Sequence, residues 1–99
     1  MHIITRARLR QFWETHTDAE DALRLWYQRA NQAKWQNIVH VQKVYASAES
    51  AGRLTVFDIK GNSYRLIVRI EYEKQEIYIR HVLTHEEYSK NHWKKDDWY

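Results

Sequence analysis

The sequence predicts an α+β fold: a small antiparallel sheet with two N-terminal helices on one face and a short C-terminal helix. Three observations predict it. Apolar residues recur at the helical period from Ala19 to Ala33, and strict alternation runs from Tyr64 to Tyr72 beside a Gly61-Asn62 turn. Thr84-His85-Glu86-Glu87 then has the spacing of a capping box directly after a further strand-like run. At 99 residues the chain has room for one domain, residues 1–99, built on one modest core.

Met1 to Ile4 is short and apolar enough for an edge strand. Thr5 is placed to cap a first helix, whose Leu9, Phe12 and Trp13 fall at i, i+3 and i+4, with Arg6, Arg8 and Arg10 facing away. Thr17-Asp18-Ala19-Glu20 has capping-box spacing, so the second helix is expected to start there and to run almost to Lys34. Its stripe of Ala19, Ala22, Leu23, Trp26, Tyr27, Ala30 and Ala33 is the amphipathic pattern of a helix laid on a core. Trp35 to Tyr45 fits partial alternation and a helical turn about equally, and is read as a short helical turn. Ala46 to Gly52 is small and polar, and reads as a loop.

Alternation from Tyr64 to Tyr72 puts Tyr64, Leu66, Val68, Ile70 and Tyr72 on a core face and Arg65, Ile67, Arg69 and Glu71 on a wet, basic one. A tight turn at Gly61-Asn62 sets Ile59 opposite Tyr64, Phe57 opposite Leu66 and Asp58 opposite Arg65. Continued through Glu73-Lys74-Gln75-Glu76, the same logic sets Tyr72 opposite Ile77, Ile70 opposite Ile79, Val68 opposite His81 and Leu66 opposite Leu83. On the reverse face Arg69 then opposes Arg80, and Arg65 opposes Thr84. Two arginines directly opposed are destabilising unless an anion lies between them. The final helix delivers His85 and Tyr88 to one face at i, i+3. The tail from Lys90 to Tyr99 mixes charges and aromatics, and either packs back on the body or frays.

Composition narrows the class of function. With 43% hydrophobic and 14% aromatic residues the chain lies outside the disordered class. The absence of cysteine excludes a disulfide scaffold and a thiolate metal site. No apolar run approaches a signal sequence or a membrane span, so a soluble, cytoplasmic protein is expected, with no membrane partner. The net charge of +3 tilts the surface toward anionic partners such as nucleic acid. His2, His16, His40 and His92 lack ligand-like spacing, and His81 and His85 are separated by a strand end and a helix start. No metal or other cofactor is therefore expected.

The polar face collects Lys60, Arg65, Arg69 and Arg80, with His85 and Tyr88 at the junction of strand and helix. These are the groups needed to cut RNA without a metal: cations for the phosphorane, a titratable imidazole for proton transfer and a phenol to position the ribose. Each has a plainer reading. Arg65 can simply pair with Asp58, the other arginines can be solvated, and His81 on the apolar face reads as a satisfied core histidine. A non-catalytic RNA- or ribosome-binding module needs only the basic face, and a protein-interaction domain built on the aromatic tail needs none of it.

GNSYRLIVRIEY (61–72), IYIRHVLTHEEY (77–88) and the trailing NHW (91–93) resemble the HigB-type toxins of bacterial type II toxin–antitoxin systems, within the RelE superfamily. The opening HIIT and the spaced aromatics Trp35 and Phe57 fit the same pattern. The resemblance implies a RelE-like fold with the helices on one sheet face and RNA on the other. It also implies an mRNA endoribonuclease, commonly acting on the translating ribosome and neutralised by a helix-turn-helix antitoxin of the HigA kind. By position, Arg65 matches the phosphate-contacting arginine of the family's YRL strand, and His85 and Tyr88 match its TH and EY elements. Lys60 lies where relatives often carry a basic residue, and Arg69 and Arg80 would hold the RNA.

Overall fold

The computed structural model describes residues 1–99. Strand β1 (His2–Ile4) leads to helices α1 (Ala7–Thr15), α2 (Glu20–Gln32) and α3 (Ile38–Val44). Strands β2 (Glu49–Ala51), β3 (Leu54–Ile59), β4 (Tyr64–Glu71) and β5 (Glu76–Thr84) follow, then α4 (His85–Ser89), with single 3-10 turns at Thr17–Ala19 and His92–Lys95. The five strands form one mixed sheet in the order β1-β5-β4-β3-β2, β1 running parallel to β5 and every other pair antiparallel. The α+β expectation holds. No helix is long and apolar enough to cross a membrane.

Helices α1 and α2 cover one face of the sheet because their apolar stripes match the inward positions of the strands. Leu9, Leu23, Trp26 and Ala30 are buried against Phe57, Leu66, Val68, Ile77 and Ile79. Phe57 is the aromatic centre of this core: the rings of Trp26, Trp35 and Tyr45 lie 5.4, 6.2 and 5.4 Å from it. Truncating such a residue to alanine typically costs about 3–5 kcal/mol.

Local signals fared unevenly at the helix starts. Thr5 takes a left-handed conformation (φ 68°), and α1 begins two residues later with no side-chain cap. The expected capping box at Thr17 does not form: a 3-10 turn precedes α2, Glu20 pairs instead with Arg24 at 2.7 Å, and Asp18 is drawn to Lys60 and Tyr64. The expected helical turn before Tyr45 is α3, capped by Asn37, whose side chain accepts from the His40 amide at 3.1 Å. The expected loop at 46–52 contains the edge strand β2 instead. Glu49 and Ser50 are exposed, so the pairing with β3 rests on backbone bonds that leave no apolar pattern in the sequence.

The first hairpin has the expected register, with Ile59 opposite Tyr64, Asp58 opposite Arg65 and Phe57 opposite Leu66. The second differs. Ile70 faces Ile77, Val68 faces Ile79, Ile67 faces His81, Leu66 faces Val82 and Tyr64 faces Thr84, with an irregularity between Ile67 and Val68 that leaves Arg80 as an extra residue on β5. A bulge of this kind reverses the alternation beyond it. Val82 therefore packs into the helix-side core, while His81 and Leu83, expected there, turn to the opposite face with Arg80. Arg69 faces Tyr78, so the two opposed arginines do not occur.

The opposite face is not the open basic surface expected of it. Leu54, Val56, Ile67 and Trp93 form a second buried cluster, with Ala51, Leu83, Tyr88 and Trp98 packed against it. The C-terminal tail packs across this face. It is fastened at its end where the Arg53 amide donates to the Tyr99 carbonyl at 2.9 Å and Arg53 Nη2 donates to Asp97 O at 2.7 Å. Gly52 allows that approach: at φ +60°, a Cβ there would stand 2.6 Å from Tyr99 O.

Candidate active site

Arg65 lies on β4 directly opposite Asp58 on β3, and that register brings its Nε to 3.0 Å from Asp58 Oδ1. Its Nη1 donates to the carbonyls of Asn62 at 2.8 Å and Tyr64 at 3.3 Å. Of five guanidinium hydrogens, the two on Nη2 have no partner within the chain. The group sits 5.0 Å over the Tyr88 ring, and the side chain is 11% exposed. A cation held by a carboxylate, two carbonyls and an aromatic face is pre-oriented, so little order has to be created when an anion arrives.

Helix α4 supplies the other two groups. Its capping box forms as predicted: the Thr84 hydroxyl accepts from the Glu87 amide at 3.2 Å, and the Glu87 carboxylate accepts from the Thr84 amide at 2.9 Å. The His85 amide also donates to Ser63 O at 3.2 Å. Arg65 and the first turn of α4 are thus anchored on adjacent carbonyls of one turn, Asn62 and Ser63. The His85 imidazole is exposed and makes no hydrogen bond within the chain. Tyr88 stacks on Trp93 with ring centroids 5.3 Å apart, and Trp93 Nε1 donates to Tyr88 O at 3.0 Å. Burial foremost, then the carboxylate of Glu49, pushes the Tyr88 phenol above its ordinary value against the opposing pull of Arg65. At neutral pH it is a hydrogen donor.

The remaining predicted residues lie apart from this cluster. Lys60 donates to Asp18 Oδ2 at 2.7 Å, where Tyr64 also donates, on the helix side of the sheet. The Lys60 ammonium foremost, then the Tyr64 hydroxyl, holds the Asp18 carboxyl below the usual carboxylate range. Arg69 pairs with Glu71 at 2.9 Å. Arg80 is clamped: Nε and Nη2 each donate to Asp96 at 2.9 Å, its guanidinium lies 4.1 Å over Trp98, and its own carbonyl accepts from Arg8 Nη1. His81 Nε2 lies 2.8 Å from the same Asp96 carboxylate. Each of the three predicted arginines therefore carries its own carboxylate.

Sequence reading missed Trp93 and Asp96. Trp93 is buried beneath Tyr88, and the Asp96 side chain is 3% exposed between Arg80, His81 and the Trp98 amide, which donates to it at 2.8 Å. The alternation of aromatics and charges in the tail was visible, but nothing local marked which carboxylate would be buried.

The family described as HigB_toxin, the RelE-like toxic component of a toxin–antitoxin system, matches residues 19–91. The chain belongs to the HigB toxin family. Arg65, His85 and Tyr88 lie inside the matched stretch, and the tail from His92 to Tyr99 lies beyond it. The mRNA interferase toxin HigB of Escherichia coli K12 is 28% identical over 91 residues, covering 89% of this chain and 88% of the relative. The mRNA interferases HigB of Escherichia coli O157:H7 and Shigella flexneri match to the same extent. As a HigB-family toxin the chain is one half of a pair whose other half is an antitoxin.

Proposed function

We propose that residues 1–99 act as one toxin domain, an endoribonuclease that cuts mRNA on the translating ribosome without a metal ion. In the cytoplasm a helix-turn-helix antitoxin of the HigA kind neutralises it. The interferase names of its relatives support the reaction class. The observation that carries the site is Arg65, fixed by Asp58 and Asn62 over Tyr88 with its Nη2 hydrogens unspent.

In this reaction the ribose 2′-oxygen forms a bond to phosphorus, and the bond from phosphorus to the 5′-oxygen breaks. A 2′,3′-cyclic phosphate and a 5′-hydroxyl remain. The Nη2 hydrogens of Arg65 meet the phosphorane oxygens, whose extra charge exists only in the transition state. His85, whose exposed imidazole makes no hydrogen bond within the chain, takes the proton leaving the 2′-hydroxyl. Tyr88, protonated at neutral pH, orients the ribose and gives its proton to the leaving 5′-oxygen, and the proton held by His85 returns through water to the phenolate. Arg69 adds an RNA contact by exchanging Glu71 for phosphate. Arg80 contributes by holding the tail in place, and Lys60 braces the β3–β4 turn from the helix side.

Purified protein and His85→Ala and Arg65→Ala variants, assayed on an mRNA with and without ribosomes, test this reading. Loss of His85 should slow cleavage by about a hundredfold to ten-thousandfold with RNA affinity retained, and chelator should leave the native rate unchanged. Native-rate cleavage by both variants would sink the site assignment, and cleavage abolished by chelator would sink the metal-free route.

A further inference from the structure

Beside the Arg65–Tyr88 cluster, β5, α4 and the C-terminal 3-10 turn enclose a cleft of about 340 Å³ lined by His81, Leu83, Glu87, Lys90, His92 and Trp93. Its floor is apolar and its rim carries nitrogen donors. The single carboxylate in the lining, Glu87, is engaged in the capping box. His81 is held through Nε2 by Asp96, which leaves Nδ1 as its open nitrogen. Lys90 has only a loose pairing with Glu86 at 3.8 Å, both ends well exposed, and His92 is exposed with no hydrogen bond from its ring. Such a lysine exchanges one anion for another at little cost.

The cleft is continuous with the candidate active site. Trp93 lines it while its ring stacks on Tyr88, and Glu87 is the neighbour of Tyr88 on α4. An apolar floor with a cationic rim, next to a group that addresses a phosphodiester, has the chemistry of a nucleotide seat. We infer that this cleft is an RNA subsite for a nucleotide flanking the scissile bond, with its phosphate on Lys90 and His92 and its base against Leu83 and the small part of Trp93 that reaches the cleft. The inference rests on the ribonuclease reading of the Arg65 cluster. It places one phosphate contact, Lys90, at the end of the stretch shared with the family and the other, His92, just beyond it.

The test is binding of a short single-stranded RNA, made uncleavable by 2′-O-methyl groups, to the native chain and to Lys90→Gln, His92→Ala and Lys43→Gln, beside cleavage of the unmodified RNA. Each of these side chains is exposed, so the fold should survive, and circular dichroism checks it. Lys90→Gln should bind more weakly and lose about 0.7 from the log–log salt slope, roughly a threefold difference over a fourfold rise in salt. His92→Ala should bind more weakly too. Lys43→Gln, on α3 away from the cleft, should match the native chain. If the native chain cuts RNA while Lys90→Gln and His92→Ala retain native affinity and slope, or Lys43→Gln weakens binding equally, the subsite is refuted and the ribonuclease reading stands. If the native chain neither binds nor cuts RNA, both fall together.

Discussion

Replacing Asp96 with alanine should destabilise the fold by about 3 kcal/mol, the lower end of what is lost when one partner of a buried ion pair is removed. The carboxylate is 3% exposed and accepts from Arg80 twice at 2.9 Å and from the Trp98 amide at 2.8 Å, with His81 Nε2 at 2.8 Å. The orphaned Arg80 and His81 side chains are 25% and 28% exposed, so water can reach them, which keeps the loss near that lower end. For a domain of this size, about 3 kcal/mol lowers Tm by roughly 12–24 °C. Thermal melts followed by circular dichroism and tryptophan fluorescence would read it, since Trp93 and Trp98 both lie in the tail. Acid supplies a second check. The Arg80 hydrogen bonds foremost hold the Asp96 carboxyl far below its ordinary value of 3.8. A depressed folded-state pKa contributes stability that is complete above the unfolded value and is lost as pH falls through the folded one. The gap between native and variant should therefore narrow by about 1 kcal/mol by pH 3. An Asp96→Ala protein melting within about 2 °C of native at pH 7, or a gap that does not narrow in acid, would show that the tail is not held as argued.

Two further substitutions probe the layout around the site. Lys60→Gln breaks an ion pair whose ends are 48% and 51% exposed, so stability should change by less than about 1 kcal/mol. Cleavage should fall far less than in Arg65→Ala, and equal losses in a single-turnover assay would return Lys60 to the chemistry. Gly52→Ala puts a side chain into a left-handed conformation against Tyr99 O, at a cost of about 1–2 kcal/mol from the backbone alone. Amide exchange at Arg53, whose N–H donates to Tyr99 O, should quicken, and an unchanged rate would mean that the tail end is not docked there.

The pairing of Arg65, Arg69 and Arg80 with carboxylates bears on how RNA would engage the tail face. Arg65, Arg69 and Arg80 are neutralised by Asp58, Glu71 and Asp96, so attraction at a distance falls to cations without an ion pair, such as Lys94 and Lys95 in the tail. On the proposed reading, unpaired lysines would steer RNA in, while Arg65 and Arg69 would keep their geometry until a phosphate competes for them.

Much of the fold was legible because its determinants are local. The α2 stripe, the turn after Ile59 with its Asp58–Arg65 pairing, and the Thr84–Glu87 capping box need only residues a few positions apart, and all three form. The Thr17 capping box had the same spacing and failed. Its Asp18 met Lys60 and Tyr64, more than forty residues away, and no local spacing registers a partner at that range.

From the sequence alone came the α+β class, the family resemblance and the expectation that His85 and Tyr88 stand near Arg65, because hydrophobic period, turn chemistry and motif are properties of neighbouring residues. Tertiary structure decided the rest. One extra residue at Arg80 turned His81 and Leu83 to the other face, and the tail then covered that face, burying Trp93 under Tyr88 and Asp96 between Arg80 and His81. A bulge costs one residue of register and leaves no mark in the apolar pattern before it. The burial of a charged tail follows only when the strands it must meet are already in place.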